Sequence, residues 1–401
     1  MRTPPKVPRP APAPVAGSAL VADLEVRLHD AADRSAVLAD FWAGPARATP
    51  VVEPAAPGQG VVTFLLRDDD AEQVLLFVNR LTDERDLGAS LMRRVEGTDV
   101  WHLSYRMDDD WRASYAFLVQ RPGERAPWLD AADQVAIRAT LDRGRCDPRN
   151  PDRCRNRAGV EQSVASLPGA PDQPWLARRT GVPRGDVRRT TTPDGRTAWL
   201  YRSVGVRQDA PLLIALDGEV WTGPQDLPTT LDNLVHDSAT RPLCALLLDS
   251  GGRDRRWDDL GEGSSMPDLV AGPLLEWARD VLPVSRSRDD VTVAGQSLGA
   301  LTALWTLVTH PDRVGSVISQ SASLWQDEIL GVVPRADLTG TRAWVEVGRQ
   351  EWVLQPRHPQ AVDLLHAAGC DVRYDEFDGG HDYACWRGGI ATALAALHPV
   401  V

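Results

Sequence analysis

Residues Val291 to Leu304 read VTVAGQSLGALTAL. An apolar run of strand character stops at Gly295-Gln296-Ser297-Leu298-Gly299, and helical apolar spacing follows at once. A serine between two glycines at a strand-to-helix junction fits a sharp turn that would crowd any bulky neighbour, and glycine relieves that crowding. Such a turn holds the hydroxyl at the carboxyl end of a sheet, beside the positive end of the new helix. The same pentapeptide also occurs in ordinary glycine-rich turns, so its surroundings decide.

Those surroundings are regular from Asp186 onward. DVRRTTTPDGRTAWLYRSV reads as a hairpin turning at Pro193-Asp194-Gly195. Apolar runs then alternate with helices: PLLIALDG, LCALLLDSGG, a helix near Asp268–Val281, VTVAG, a helix from Leu298, VGSVISQSASLW, RAWVEVG, a helix near Pro359–Ala368, VRYDEFDGG, and a final helix through IATALAAL. Unbroken apolar strands separated by helices predict a mainly parallel sheet covered on both faces. With the serine turn included, the expectation is an α/β-hydrolase catalytic domain over residues 186–401. In such sheets, functional groups gather at the carboxyl ends of strands.

The preceding chain has a different character. Residues 1–17, MRTPPKVPRPAPAPVAG, predict a disordered Pro-rich tail. Ser18–Gly44 has the apolar spacing of a helix that ends at glycine. From Pro50 to about Pro122 short strand patterns follow without helical interruption. In DVWHLSYRMDDDWRASYAFLV, Trp101, Leu103 and Tyr105 fall on one face. A small β-sandwich is expected, so residues 18–125 form one domain and 126–185 a linker. The runs Asp68–Asp70 and Asp108–Asp110 read as solvated turns between strands.

The chain has 401 residues, 43% of them hydrophobic and 25% charged, with a net charge of −12. That balance argues against nucleic acid or a membrane surface as partner. The cysteines are Cys146, Cys154, Cys244, Cys370 and Cys385, an odd and sparse set that suits neither a disulfide framework nor a zinc site. Cys146 and Cys154 read as two reduced loop thiols. Prolines break the N-terminal segment too often for a signal peptide, and no run has the length of a membrane helix. A soluble cytoplasmic protein is expected, of unknown oligomeric state.

Ser297 needs a base, and His381 in DGGHDYACW follows the last predicted strand. His310 reads as structural, and His358 and His366 as exposed on or beside a helix. The orienting acid falls between Ser297 and His381 in the hydrolase chain order. Glu351, just past the strand RAWVEVG, is preferred over Glu346, Asp327 and Asp378, and a serine–histidine pair without an acid is the remaining option. An oxyanion hole needs the N–H of Leu298 and a second N–H after LLIALDG, from Gly218 or Glu219. Asp217 shapes that turn and Trp221 lines the pocket. Arg253, Arg255, Arg256, Arg349 and Arg387 make either a basic cluster for an anionic substrate or solvated surface. Cys385 and Trp386 read as wall.

Taken together, ALDGEVW, AGQSLGALTALW, HPDRVGSVISQSASLW, VEVGRQE, DGGHDYACWRGG, TPVVE, NRLTD and GTDVWHLSYRMDDDWRASYAFL resemble the enterochelin (enterobactin) esterase family from about residue 40 onward. The pairing of DVWHLSYR with GGHDYACWR is the specific part. The resemblance implies a β-sandwich before an α/β-hydrolase, and hydrolysis of a cyclic or linear ester of catechol-acylated serine, a siderophore often carrying ferric iron. No cofactor is implied, since the iron belongs to the substrate. By motif match Ser297 is nucleophile, His381 base and Glu351 acid, and Arg256 matches a family arginine; a bulky anionic substrate would suit a cleft in which Trp221, Trp325, Arg387 and Arg349 join Arg256 in binding it. RWDDL departs from the family in having Asp259 where glutamate is usual, and Gln326 stands where a second tryptophan often follows SASLW. Two other readings are another acyl esterase or acyltransferase of feruloyl-esterase type, and a catalytically dead binding protein.

Overall fold

The computed structural model describes residues 4–5, 7–129 and 134–400. Residues 1–3, 6, 130–133 and 401, parts of the expected tail, linker and C-terminus, lie outside the described residues. The chain divides into two compact units. One comprises Arg9–Pro171 together with Asp378–Ala384, and the other is built from Asp172–Phe377 and residues 385–400, with the described residues before Arg9.

The first unit is a sandwich. Its strands are β1 (Val51–Pro54), β2 (Gln59–Arg67), β3 (Gln73–Val78), β4 (Arg93–Arg94), β5 (Val100–Asp108), β6 (Arg112–Gln120), β7 (Arg153–Arg155) and β8 (Glu161–Ser166). They form two four-stranded sheets, β1-β2-β5-β4 and β3-β6-β8-β7. Alternation along the strands fills the space between sheets with Val62, Phe64 and Leu66, Trp101, Leu103 and Tyr105, and Ala113, Tyr115 and Phe117. Phe64 meets Tyr115 edge-on at 4.8 Å. Each such ring contributes about 2–3 kcal/mol by leaving water.

Several expectations change here. Two of the sandwich strands, β7 and β8, lie inside the stretch expected to be linker, and β8 pairs with β6 from Arg112↔Ser166 to Tyr115↔Ser163. These short polar strands escape an apolar-pattern search. The helix expected over Ser18–Gly44 is two, Ala19–Asp30 and Arg34–Ala43, because Asp33 accepts a hydrogen bond from the Ala36 amide and caps a new start. The described part of the Pro-rich segment is pinned rather than disordered. The Arg9 guanidinium donates to the carbonyls of Arg80, Leu81 and Thr82, and the Ala16 and Arg106 amides pair across to Ser104 and Pro14. Asp68 is not a solvated turn residue. It is buried and held by Arg121 at 2.6 Å and Arg145 at 2.7 Å, which keep its carboxyl below the usual range against the opposing effect of burial.

The second unit carries one eight-stranded sheet. Its strands are β9 (Asp186–Thr191), β10 (Thr197–Arg202), β11 (Leu212–Leu216), β12 (Cys244–Leu248), β13 (Val291–Gln296), β14 (Ser316–Gln320), β15 (Arg342–Gly348) and β16 (Asp371–Phe377). The order is β16-β15-β14-β13-β11-β12-β10-β9, antiparallel only where β10 meets β9 and β12. The five residues of each of β11 and β12 are all buried, which is why they read as unbroken apolar runs, and β14 is buried throughout although Ser316, Ser319 and Gln320 are polar. The helix expected near Asp268–Val281 breaks at Gly272-Pro273, where Gly272 leaves helical geometry and proline cannot donate. Residues 172–185, expected as linker, dock on the helix Leu227–His236: Asp232 accepts from Arg178 and the Gly185 amide, and Asn233 donates to the carbonyls of Trp175 and Ala177. The parallel strands β11 to β16 all end at one edge, and the loops leaving it carry Gly218, Arg256, Ser297, Trp325, Glu351 and His381.

Candidate active site

Ser297 follows β13 with φ 60° and ψ −116°, in a region that residues other than glycine rarely occupy, and the helix Leu298–Thr309 begins immediately. The strand and helix approach closely there: a Cβ on Gly295 would sit 2.3 Å from the Gly299 carbonyl carbon. Glycine at 295 is therefore required, as the sequence argument expected. The Ser297 amide donates to the Gln320 carbonyl at 3.0 Å, the Ser323 amide donates to the Ser297 carbonyl at 3.1 Å, and the two serine Oγ atoms lie 3.3 Å apart. The strained turn is thus held by the neighbouring strand.

Leu298 and Gly218 each open a helix, and first-turn N–H groups have no partner within the helix. Asp217 adopts left-handed backbone, φ 57° and ψ 41°, and turns β11 into the short helix Gly218–Thr222. A Cβ on Gly218 would meet the Leu247 carbonyl carbon at 2.3 Å, so β12 packs directly against this turn. The side chain of Glu219, the other oxyanion candidate, accepts from the Ser250 amide and hydroxyl.

Two residues expected to bind substrate lie against this turn. Trp221 is 1% exposed and donates its indole N–H to Gln296 Oε1 at 2.7 Å, so it presents no face to a ligand. Arg256 grips Asp217 with Nε–Oδ1 and N–Oδ2 distances of 2.7 Å, and reaches the Gln296 carbonyl at 3.2 Å. Its guanidinium is committed to the loop that carries Gly218. Asp259, the departure in RWDDL, pairs with Arg196 and Arg255. Gln326 accepts from the Glu262 amide at 2.7 Å.

Trp325 is half-buried beside Trp257, ring centres 6.2 Å apart and inclined at 54°. Trp257 was not singled out from sequence. Its place one turn after Arg253 on a polar helix, Arg253–Leu260, was the available signal. Arg387 is half-buried and donates to Gln173 Oε1 at 3.2 Å; Arg349 is exposed. Trp101 and Trp111 belong to the sandwich core, so neither reaches outward as a binding residue.

Glu351 is 1% exposed and accepts the Ser321 hydroxyl at 2.5 Å and the Gly348 amide at 2.9 Å. Glu346 is buried deeper in the strand, where Gln320 Nε2 donates at 2.6 Å and Trp344 Nε1 at 3.0 Å. Burial pushes the Glu346 carboxyl up to about 7. Gln320 is itself reached by Gln296 Nε2 at 2.7 Å, so buried amides link the Ser297 turn to Glu346.

His381 lies between β16 and the helix Tyr383–Leu397, in the segment that groups with the sandwich. There its carbonyl accepts from Asn79 Nδ2 at 3.2 Å, the Arg112 amide donates to the Asp378 carbonyl at 3.0 Å, and the Ser114 amide donates to Asp382 Oδ2 at 2.6 Å. His310 pairs with Asp268 as a structural histidine. His358 is buried, not exposed: it contacts the Leu354 carbonyl at 2.9 Å, and burial lowers its basicity. Among the described residues no group of three or more His, Cys, Asp or Glu could hold a metal, and no helix is long and apolar enough to cross a membrane. All five cysteines are free thiols.

The β-sandwich, the parallel sheet and the strained serine at its edge define an α/β-hydrolase-type esterase with an N-terminal sheet domain. The enterochelin esterase N-terminal model matches residues 61–176, and the Esterase model matches residues 197–397. The chain belongs to the enterochelin esterase family. It is 30% identical to the iron(III) enterobactin esterase of Dickeya dadantii, with 87% of this chain and 90% of that protein covered. It is 28% identical to the iron(III) salmochelin esterase of an Escherichia coli O6:H1 strain, with coverage of 92% and 95%. The crystal structure of ferric enterobactin esterase from Salmonella typhimurium superposes with a TM-score of 0.76 at 27% identity, over 90% of this chain and 98% of that one. The enterobactin esterase of Shigella flexneri, crystallised in the presence of enterobactin, gives 0.74 at 26% identity, with coverage of 89% and 97%.

Proposed function

We propose that this chain hydrolyses the ester bonds of catecholate siderophores, enterobactin-like trilactones in their ferric form, through an acyl-enzyme on Ser297. The observation that carries the reading is the strained backbone of Ser297 at the β13 turn, in a family whose named relatives are iron(III) enterobactin and salmochelin esterases.

In this mechanism His381 takes the Ser297 proton as Oγ attacks the ester carbonyl. The N–H groups of Leu298 and Gly218 receive the developing oxyanion. The tetrahedral species collapses, the serine-derived alkoxide leaves with the proton from the imidazolium, and the acyl group stays on Ser297. Water activated by His381 then repeats the sequence and frees the catechoyl-serine acid. Glu351 orients the imidazole and stabilises its charged form. Its burial suits that role, since a carboxylate acts more strongly where water is excluded. Each cut divides the chelator and lowers its denticity for iron, which is cargo and not a participant.

Trp257 and Trp325 offer aromatic faces for catechol rings. Arg349 and Arg387 supply positive charge for the anionic complex, and Arg256 serves the oxyanion loop. Iron freed in this way needs a reductant and intracellular ligands, so the reading places the reaction in the cytoplasm.

The test incubates the protein with ferric and iron-free catecholate trilactones and identifies products by mass. Linear catechoyl-serine fragments are expected from the native chain and none from Ser297→Ala, which should still bind. Undiminished turnover by Ser297→Ala refutes the nucleophile. Cleavage confined to feruloyl esters refutes the substrate class.

A further inference from the structure

β14 ends as β13 does, on a serine with left-handed backbone. Ser321 has φ 54° and is fully buried. A residue with a Cβ is strained in that conformation, and glycine would adopt it at no steric cost. Nothing in the turn alone calls for a hydroxyl. The contacts do.

The Ser321 amide donates to the Glu346 carbonyl at 2.7 Å, which holds the turn against β15. Its Oγ receives the indole N–H of Trp386 at 2.9 Å and lies 2.5 Å from Glu351 Oε1. An indole N–H can only donate, so the single hydroxyl proton of Ser321 is directed at the carboxylate. The Gly348 amide reaches the same oxygen of Glu351 at 2.9 Å. Two donors converging on Oε1 fix the rotation of the carboxyl group, and with it the direction of Oε2. The chain Trp386–Ser321–Glu351 thereby ties the acid to the final helix, whose Trp386 carbonyl also accepts from Gln320 Nε2 at 2.9 Å.

We infer that Ser321 is a positioning residue: its strained turn and its hydroxyl orient Glu351 for the reaction. This rests on Glu351 being the triad acid. Supporting groups of this kind hold a reacting group within the narrow tolerance that catalysis needs. Because Ser321 touches no substrate in this scheme, its loss acts on turnover and not on binding.

The test compares Ser321→Ala, Ser321→Gly, Glu351→Gln and the double variant Ser321→Ala/Glu351→Gln, on a small activated ester and on a ferric catecholate trilactone. Ser321→Ala keeps the strain and loses the hydroxyl, whereas Ser321→Gly loses both. Both are expected to lower kcat about 10- to 100-fold with KM changed less than about twofold, while Ser321→Gly unfolds at a temperature no lower than Ser321→Ala. In the Glu351→Gln background the Ser321→Ala change should add little, since the two act as one unit. Native-like kcat in both Ser321 variants, with Glu351→Gln impaired, overturns this inference and leaves the acid in place. Activity that tracks thermal stability across the two Ser321 variants overturns it as well. Full activity in Glu351→Gln overturns the assignment of the acid itself, whatever the Ser321 variants do.

Discussion

Replacing Arg256 by alanine separates two roles for that residue. Its side chain is 13% exposed and that of Asp217 only 1%, and the pair is closed by two contacts of 2.7 Å. Removing the guanidinium leaves a buried carboxylate without its counter-ion, which costs about 3–5 kcal/mol. For a unit of roughly 200 residues, where 1 kcal/mol moves Tm by about 2–4 °C, the expected drop is on the order of 10 °C. Asp217 also sets the left-handed turn into Gly218, so on the proposed mechanism the oxyanion donor is displaced. Losing one such donor lowers kcat by about 100- to 1,000-fold. The assay is thermal unfolding together with kcat and KM on a neutral activated ester and on a ferric catecholate. Both substrates should suffer alike. Arg256→Asp/Asp217→Arg should not restore them, because the donor geometry depends on the backbone at 217. Arg256→Lys should fall between, since an ammonium lacks the two-pronged fork. An unchanged Tm, with loss confined to the anionic substrate, would refute this reasoning and return Arg256 to substrate binding.

Gly218→Ala should fold yet lose at least tenfold in kcat, because the new Cβ would lie 2.3 Å from β12 backbone that has no room to yield; a fully active variant would falsify the close packing of that turn. Glu346→Gln should raise the pH of maximum stability. Burial lifts the folded carboxyl from 4.5 to about 7, so its contribution is present below 4.5 and is lost as pH rises to about 7, on the order of 3 kcal/mol in all. His398 runs the other way. Burial takes it from 6.5 down to about 4, so stability is lost as pH falls through that window, and His398→Gln should flatten the acid side of a denaturation series. Arg9→Ala should expose the Pro-rich segment to proteolysis near residue 10 with little effect on kcat, because Arg9 holds the backbone carbonyls of residues 80–82 and pairs with Asp83.

The sheet of the second unit was legible because its buried strands β11 and β12 are wholly apolar and helical patterns separate the strands that follow. The serine turn was legible because glycine is forced where a strand and a helix touch. β7 and β8 were not legible: RCR and EQSVAS are short and polar, and their pairing depends on β6, distant in sequence. The surroundings of Trp221 and Arg256 were hidden for a related reason. Sequence places both beside the site, and only the fold tells the inner side of a loop from the outer. The buried position of Glu351 was hidden as well, since RQEW has the composition of an exposed turn and the Ser321 hydroxyl that receives it lies thirty residues away.

The segment Asp378–Ala384 is fastened to Asn79, Arg112 and Ser114 by three hydrogen bonds, although the chain enters it from β16 and leaves it into the last helix. On the proposed mechanism, a hydrolase portion expressed alone would keep Ser297 but lose the partners that hold the His381 segment, and should be inert even toward esters too small to need a binding surface.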